Sequence, residues 1–214
     1  MTGERLALPE RTGASCLIVV ARAGDAAEYD RVLDVLIDVG IRSVELTLTT
    51  PRTIERLPEL VDRYDGALDL GVGTVTDTEQ LRRAVLAGAR YIVTPVSSTD
   101  LVHAAVESGT PIIPGGLTPS ELFASWSAGA SAVKVFPATQ VGPAYVKDLR
   151  GPFPDIEVVP SGGVDLAGAV RWLDAGAAAI SVGGPLLGDA FSGGDLAALR
   201  ERAVAFVDVV AEHA

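Results

Sequence analysis

The sequence predicts an α/β protein folded as a single (β/α)8 TIM barrel across residues 1–214. Three observations carry that expectation. Eight short apolar runs with high strand propensity recur at roughly 20- to 27-residue spacing, as repeating strand–helix units do. Each run is followed by a segment with helix-start signals. No linker, low-complexity stretch or shift in composition interrupts the series. The chain is short for such a barrel but within the range of the fold.

The elements follow in order. Residues 1–14 read as a short N-terminal extension, with a short helix across the barrel bottom. Strand one covers 16–21; Asp25 and Glu28 then form a capping-box pattern, and Gly40 ends the helix. Strand two covers 43–48 and leads to Thr50-Pro51, a cap residue before a first-turn proline. Ile54, Leu57, Leu60 and Val61 recur there at helical spacing. Strand three covers 68–72, with Thr76 and Glu79 as the next capping pattern and Gly88 as the stop. Strands four and five cover 91–94 and 111–114. Thr118-Pro119 with Glu121 opens the following helix, which Gly129 closes. Strands six, seven and eight cover 132–136, 156–159 and 178–182, with Gly176 before the last. Residues 195–214 read as the closing helix. An Ala-Gly-Ala triplet recurs at 87–89, 128–130 and 175–177, which is a weak internal repeat.

Composition narrows the function. The chain has 214 residues, is 48% hydrophobic and carries a formal charge of −11. No basic run offsets that acidity, so neither nucleic acid nor an anionic membrane is an expected partner. Cys16 is the one cysteine, so no intramolecular disulfide can form. His103 and His213 lie far apart without a metal-ligand motif, so no metal is expected. The N-terminus has no signal-peptide core and no run approaches a membrane span, so the expected location is cytoplasmic. Of 17 basic residues only Lys134 and Lys147 are lysines. That matters because a lysine amine can be deprotonated and act as a nucleophile, whereas arginine stays charged.

Active sites of such barrels lie at the C-terminal ends of the strands. Alternation puts Ala132, Lys134 and Phe136 on one face of strand six and Val133 and Val135 on the other. With the valines against helices, Lys134 points into the barrel, where desolvation favours the uncharged, nucleophilic amine. Its bland alternative is a lysine reaching out to water. Lys147 falls on an amphipathic helix and reads as surface. Glu45 shares an inward face with Ser43 and Thr47; near an amine it can act as general acid and base. Its alternative is a structural ion pair with Lys134 or Arg22. Arg22 ends strand one and suits a carboxylate or phosphate, or else a surface pair with Asp25. Gly162-Gly163 and Gly183-Gly184 follow strands seven and eight, the usual phosphate position of these barrels. Gly71-Val72-Gly73-Thr74 is no dinucleotide fingerprint, because Thr76 stands at the third glycine position. Trp126 and Trp172 read as outer-layer packing, His103 as a helix residue, and Cys16 as core.

Several segments together resemble the 2-keto-3-deoxy-6-phosphogluconate (KDPG), 2-keto-3-deoxy-6-phosphogalactonate and 4-hydroxy-2-oxoglutarate aldolase family. They are Val44-Glu45-Leu46-Thr47-Leu48, Gly71-Val72-Gly73-Thr74-Val75, Val93-Thr94-Pro95, Pro114-Gly115, Thr118-Pro119-Ser120-Glu121, Lys134-Val135-Phe136-Pro137 and Gly162-Gly163-Val164. The resemblance implies a cofactor-independent class I aldolase on a (β/α)8 barrel, typically a homotrimer. It implies Lys134 as the Schiff-base lysine and Glu45 as the proton-shuttling carboxylate. Thr74, Pro95 and Phe136 resemble residues around the pyruvate moiety, and Arg22 the arginine placed for the substrate carboxylate. Ser161 stands where a threonine is common. Gly162, Gly163, Gly183 and Gly184 resemble the phosphate cradle. Three departures stand out: Thr49 for a common arginine, Val96 for a glycine, and Pro185 for a phosphate-site serine. The segment from Phe136 to Tyr145 looks closer to the galactonate branch. The implied reaction is reversible cleavage of a 2-keto-3-deoxy, optionally 6-phosphorylated, sugar acid to pyruvate and an aldehyde such as glyceraldehyde 3-phosphate. Two other readings stay open at this point: a barrel sugar-phosphate epimerase or isomerase, and a non-catalytic keto-acid or sugar-phosphate sensor.

Overall fold

The computed structural model describes residues 5–213. The parallel strands are β1 (Leu17–Ala21), β2 (Ser43–Thr47), β3 (Asp69–Gly73), β4 (Ile92–Val93), β5 (Ile112–Ile113), β6 (Gly115–Gly116), β7 (Val133–Val135), β8 (Val158–Pro160) and β9 (Ile180–Val182). They pair in the order β5-β4-β3-β2-β1-β9 and β6-β7-β8. Two joints close this curled sheet into a barrel. β5 and β6 are halves of one stave, split at Pro114, which has no N–H to give a ladder. At the other seam a parallel bridge joins Ser161 to Ser181. The eight expected strands are therefore present, with the fifth divided. Gly115 is needed at that division, since a Cβ there would lie 2.7 Å from the Thr94 carbonyl oxygen.

The helices are α1 (Glu10–Ser15), α2 (Tyr29–Asp38), α3 (Thr53–Arg63), α4 (Thr78–Leu86), α5 (Thr99–Glu107), α6 (Pro119–Ser127), α7 (Ala144–Arg150), α8 (Leu166–Asp174), α9 (Gly184–Leu187) and α10 (Leu196–Ala211). Strand alternation divides the apolar residues into two layers. Val44, Leu46, Leu70, Val72, Val133 and Val135 face the helices. Ile18, Tyr91, Val93, Ile113, Ala132, Val159 and Ala179 fill the barrel interior as a separate cluster, against which Leu8 packs. The helix α1 docks on the N-terminal ends of the strands, as expected. The Thr12 backbone N–H and hydroxyl donate to Asp69 Oδ2 at 2.8 and 3.1 Å, and Thr12 Oγ1 meets Ser43 Oγ at 2.8 Å. Ser43 passes the chain on to the buried Tyr91 hydroxyl at 2.9 Å.

Local signals held in part. Capping boxes form at Asp25/Glu28, opening a short 3-10 turn before α2, and at Thr118/Glu121, opening α6. Gly40, Gly88, Gly129 and Gly176 all take positive φ, the left-handed stop expected of them. Two starts shift. Asp77, not Thr76, caps α4 by accepting from the Gln80 N–H at 2.8 Å. α3 begins at Thr53 rather than at Pro51, because the Thr50 hydroxyl accepts from the Ala23 N–H instead of capping a helix. Cys16 is half-buried as the left-handed cap of α1 and is not a core residue. Trp172 is buried in α8, and Trp126 carries the Arg5 guanidinium 3.4 Å over its ring. His103 and Lys147 are exposed on α5 and α7. Among the described residues no helix is long and apolar enough to cross a membrane.

Candidate active site

β7 turns Val133 and Val135 outward and Lys134 inward, hydrogen-bonded between β6 and β8 in register with Gly115 and Val159. Lys134 is 7% exposed. A stave paired on both sides offers no edge from which its side chain could reach water. β2 turns Glu45 inward beside it, 1% exposed. Lys134 Nζ lies 3.9 Å from Glu45 Oε2. That is an ion-pair contact too long for a hydrogen bond. Among the described residues Glu45 Oε2 has no hydrogen-bond partner. Leaving a buried acceptor unmet costs about 1–3 kcal/mol, so this oxygen waits for a proton or a ligand at some cost to stability. The other carboxylate oxygen lies against Gly73, where a Cβ would fall 1.8 Å from Oε1.

These two groups sit in a cavity of about 330 Å³ at the C-terminal ends of the strands. Every residue expected at the site lines it. Arg22, Thr74, Pro95 and Phe136 form part of the wall, and Ser161, Gly162, Gly163, Gly183 and Gly184 another part, with Val20 and Pro185 added. The Phe136 ring centroid is 5.3 Å from Lys134 Nζ. Thr74 holds φ +63°, a left-handed conformation that costs a non-glycine residue on the order of 1–2 kcal/mol. Ser161 donates to Ser181 Oγ at 3.1 Å. Gly163 adopts φ +74°, and a Cβ there would strike Thr139 Cγ2 at 2.3 Å. Among the described residues the N–H groups of Gly162, Gly163, Gly183 and Gly184 meet no acceptor, which leaves four donors for an anionic or hydroxylated ligand. Pro185, in the first turn of α9, contributes none.

Arg22 is exposed at the rim and makes no ion pair or hydrogen bond among the described residues. The alternative pairing with Asp25 does not form; Asp25 is paired with Arg52. Arg52 also holds the Asp25 carboxyl below the usual range. Among the described residues no group of three histidine, cysteine or acidic side chains could hold a metal ion.

Some residues escaped sequence reasoning. Gly71 and Gly73 are inward positions of β3 that make room for their neighbours; a Cβ at Gly71 would lie 2.3 Å from the Tyr91 ring. A signal existed: two glycines at i, i+2 on one strand mark a face approached closely by something large. Ser181 and Thr50 gave no such signal.

The comparisons with known proteins bear on the family and the fold. The family described as KDPG and KHG aldolase matches residues 10–201. The 2-dehydro-3-deoxy-6-phosphogalactonate aldolase of Escherichia coli K12 is 34% identical over 92% of this chain and 95% of its own. A solved structure described as native KDPGal superposes with a TM-score of 0.85 at 33% identity, over 92% of this chain and 95% of that one. KDPG aldolase from Legionella pneumophila, solved with pyruvate captured as a covalent carbinolamine intermediate, gives 0.84 at 28% identity, over 92% and 96%. With the family match spanning nearly the whole barrel, the chain belongs to the KDPG and KHG aldolase family.

Proposed function

We propose that this cavity carries out reversible, Schiff-base aldol cleavage of a 2-keto-3-deoxy sugar acid to pyruvate and an aldehyde. The carrying observation is the buried Lys134 amine 3.9 Å from a Glu45 oxygen that has no hydrogen-bond partner, both inside the strand-end cavity. Lys134 Nζ attacks the C2 ketone to give a carbinolamine. Glu45 takes the proton that Lys134 loses on becoming a nucleophile and gives it to the departing hydroxyl, and water leaves as the imine forms. Glu45, now a carboxylate, takes the C4 hydroxyl proton. The C3–C4 bond breaks, its electron pair moves into the imine, and the aldehyde departs. Glu45 returns that proton to C3 of the resulting enamine, and hydrolysis of the imine so formed releases pyruvate and restores the amine. A relative whose solved structure holds a pyruvate carbinolamine supports the covalent step.

Arg22 holds the substrate carboxylate. Thr74, Pro95 and Phe136 enclose the pyruvate half, and Ser161 with the four glycines receives the distal end. The reaction requires neither metal nor organic cofactor, so chelation leaves turnover unchanged. The working form is a cytoplasmic homotrimer of one-domain subunits, testable by light scattering against the 22.1 kDa chain mass. The central test is borohydride reduction in the presence of pyruvate, with the adduct mapped by mass spectrometry. The expected adduct is on Lys134. No adduct, or one on Lys147 alone, overturns the proposal.

A further inference from the structure

Asp25 stands three residues after Arg22 on the loop that leaves β1. A carboxylate so placed would compete with an anionic ligand for the Arg22 guanidinium. The structure keeps it occupied elsewhere. Arg52 donates from Nε to Asp25 Oδ2 at 2.9 Å and from Nη2 to Oδ1. The Ala27 N–H adds a bond to Oδ1 at 2.9 Å. The loop is fastened to the same region, with the Ala23 N–H on the buried Thr50 hydroxyl at 3.0 Å and the Ala26 N–H on the Pro51 carbonyl at 3.1 Å.

Arg52 itself adopts φ +64°, an uncommon conformation for a residue with a Cβ. Exposed ion pairs contribute little to stability as a rule. A strained residue making an exposed pair therefore invites a functional account. The counterpart is Arg22, which lines the cavity and has no side-chain partner among the described residues.

We infer that Arg52 is a positioning residue for Arg22: by engaging Asp25, it leaves the Arg22 guanidinium unpaired for the substrate carboxylate. This rests on the proposed aldolase reaction. The test is steady-state kinetics on Arg52→Ala, Asp25→Asn and the double variant, with keto-acid substrate and at two salt concentrations. In Arg52→Ala, KM rises on the order of 3- to 10-fold, as expected for a competing charge near the surface, while kcat stays within about twofold. The rise shrinks at high salt. Asp25→Asn alone keeps the wild-type KM, and added to Arg52→Ala it restores it. An unchanged KM in Arg52→Ala overturns the inference. So does a double variant as impaired as the single, since the effect would then come from a disturbed loop. Borohydride trapping on the wild type separates the two proposals. If Lys134 traps pyruvate and the Arg52 kinetics do not move, this inference alone fails; if wild-type Lys134 traps nothing, both fall.

Discussion

Gly73→Ala isolates the relation between Glu45 and Lys134 without touching either. Gly73 has no positive φ, so alanine brings no backbone strain and its one effect is steric. The added Cβ would lie 1.8 Å from Glu45 Oε1, 2.4 Å from Cδ and 2.5 Å from Cγ, where ordinary contact begins at 3.4 Å. The carboxyl must therefore move by about 1.6 Å. It is 1% exposed, and the space open to it is the cavity it lines. A displacement on that scale costs a positioned catalytic group about 100-fold. Overpacking lowers stability by about 1–3 kcal/mol. The expected outcome is a fall in kcat of about two orders of magnitude, read as pyruvate release coupled to lactate dehydrogenase. Lys134 should still be trapped by pyruvate and borohydride, more slowly. Gly71→Ala is the control. Its Cβ strikes the Tyr91 ring at 2.3 Å, so it should lower Tm comparably and kcat much less. A Gly73→Ala enzyme within threefold of wild-type kcat, or a Gly71→Ala enzyme equally slow, would refute the claim that β3 glycines set the pose of Glu45.

Three further outcomes are expected. Glu45→Gln removes the proton carrier and should lower kcat by about 10²- to 10⁴-fold, with borohydride still able to trap pyruvate on Lys134. Pro185 supplies neither hydroxyl nor N–H to the distal end of the cavity, so kcat/KM for phosphorylated and unphosphorylated substrates should differ by less than about tenfold; a larger preference would show that the glycine N–H groups hold the phosphate by themselves. The Val209 carbonyl and then the Asp174 carboxylate raise His213 above the ordinary histidine value of 6.5. Its stabilisation is therefore fully present below that value and lost as pH rises through the raised one. The Tm gap between wild type and His213→Ala should be open near about pH 5 and closed near about pH 9; a gap that stays constant would remove the ion pair from the account.

Much of this barrel was legible because its signals are local. Alternation within Val133-Lys134-Val135 and Val44-Glu45-Leu46 decides which side chains face inward, and β pairing then makes those directions rigid. Two inward groups on non-adjacent staves meet only once the ring closes, so the expected Lys134–Glu45 encounter depended on the fold expectation as well as on the strands. The misplaced features are those decided between loops. Thr50 looked like a helix cap because a hydroxyl before proline usually is one; the nearby Ala23 N–H competed for it and won. Asp25 looked like a partner for Arg22 because it is close in sequence; Arg52 reaches it across another loop, with a two-pronged geometry that sequence spacing cannot reveal.

The glycines of β3 also bear on the separation of Lys134 and Glu45. A residue with a side chain at position 73 would compete with Glu45 for the same space. The barrel instead keeps a buried carboxylate with one oxygen unmet, next to a buried amine just beyond hydrogen-bond reach. A closer pair would neutralise both groups and bind the amine into a structural salt bridge. A more distant pair could not pass a proton to a substrate attached to Nζ. A separation of 3.9 Å avoids both failures, and it is maintained by the absence of a Cβ on the neighbouring strand. The room left at Gly73 keeps the two groups close without a hydrogen bond between them.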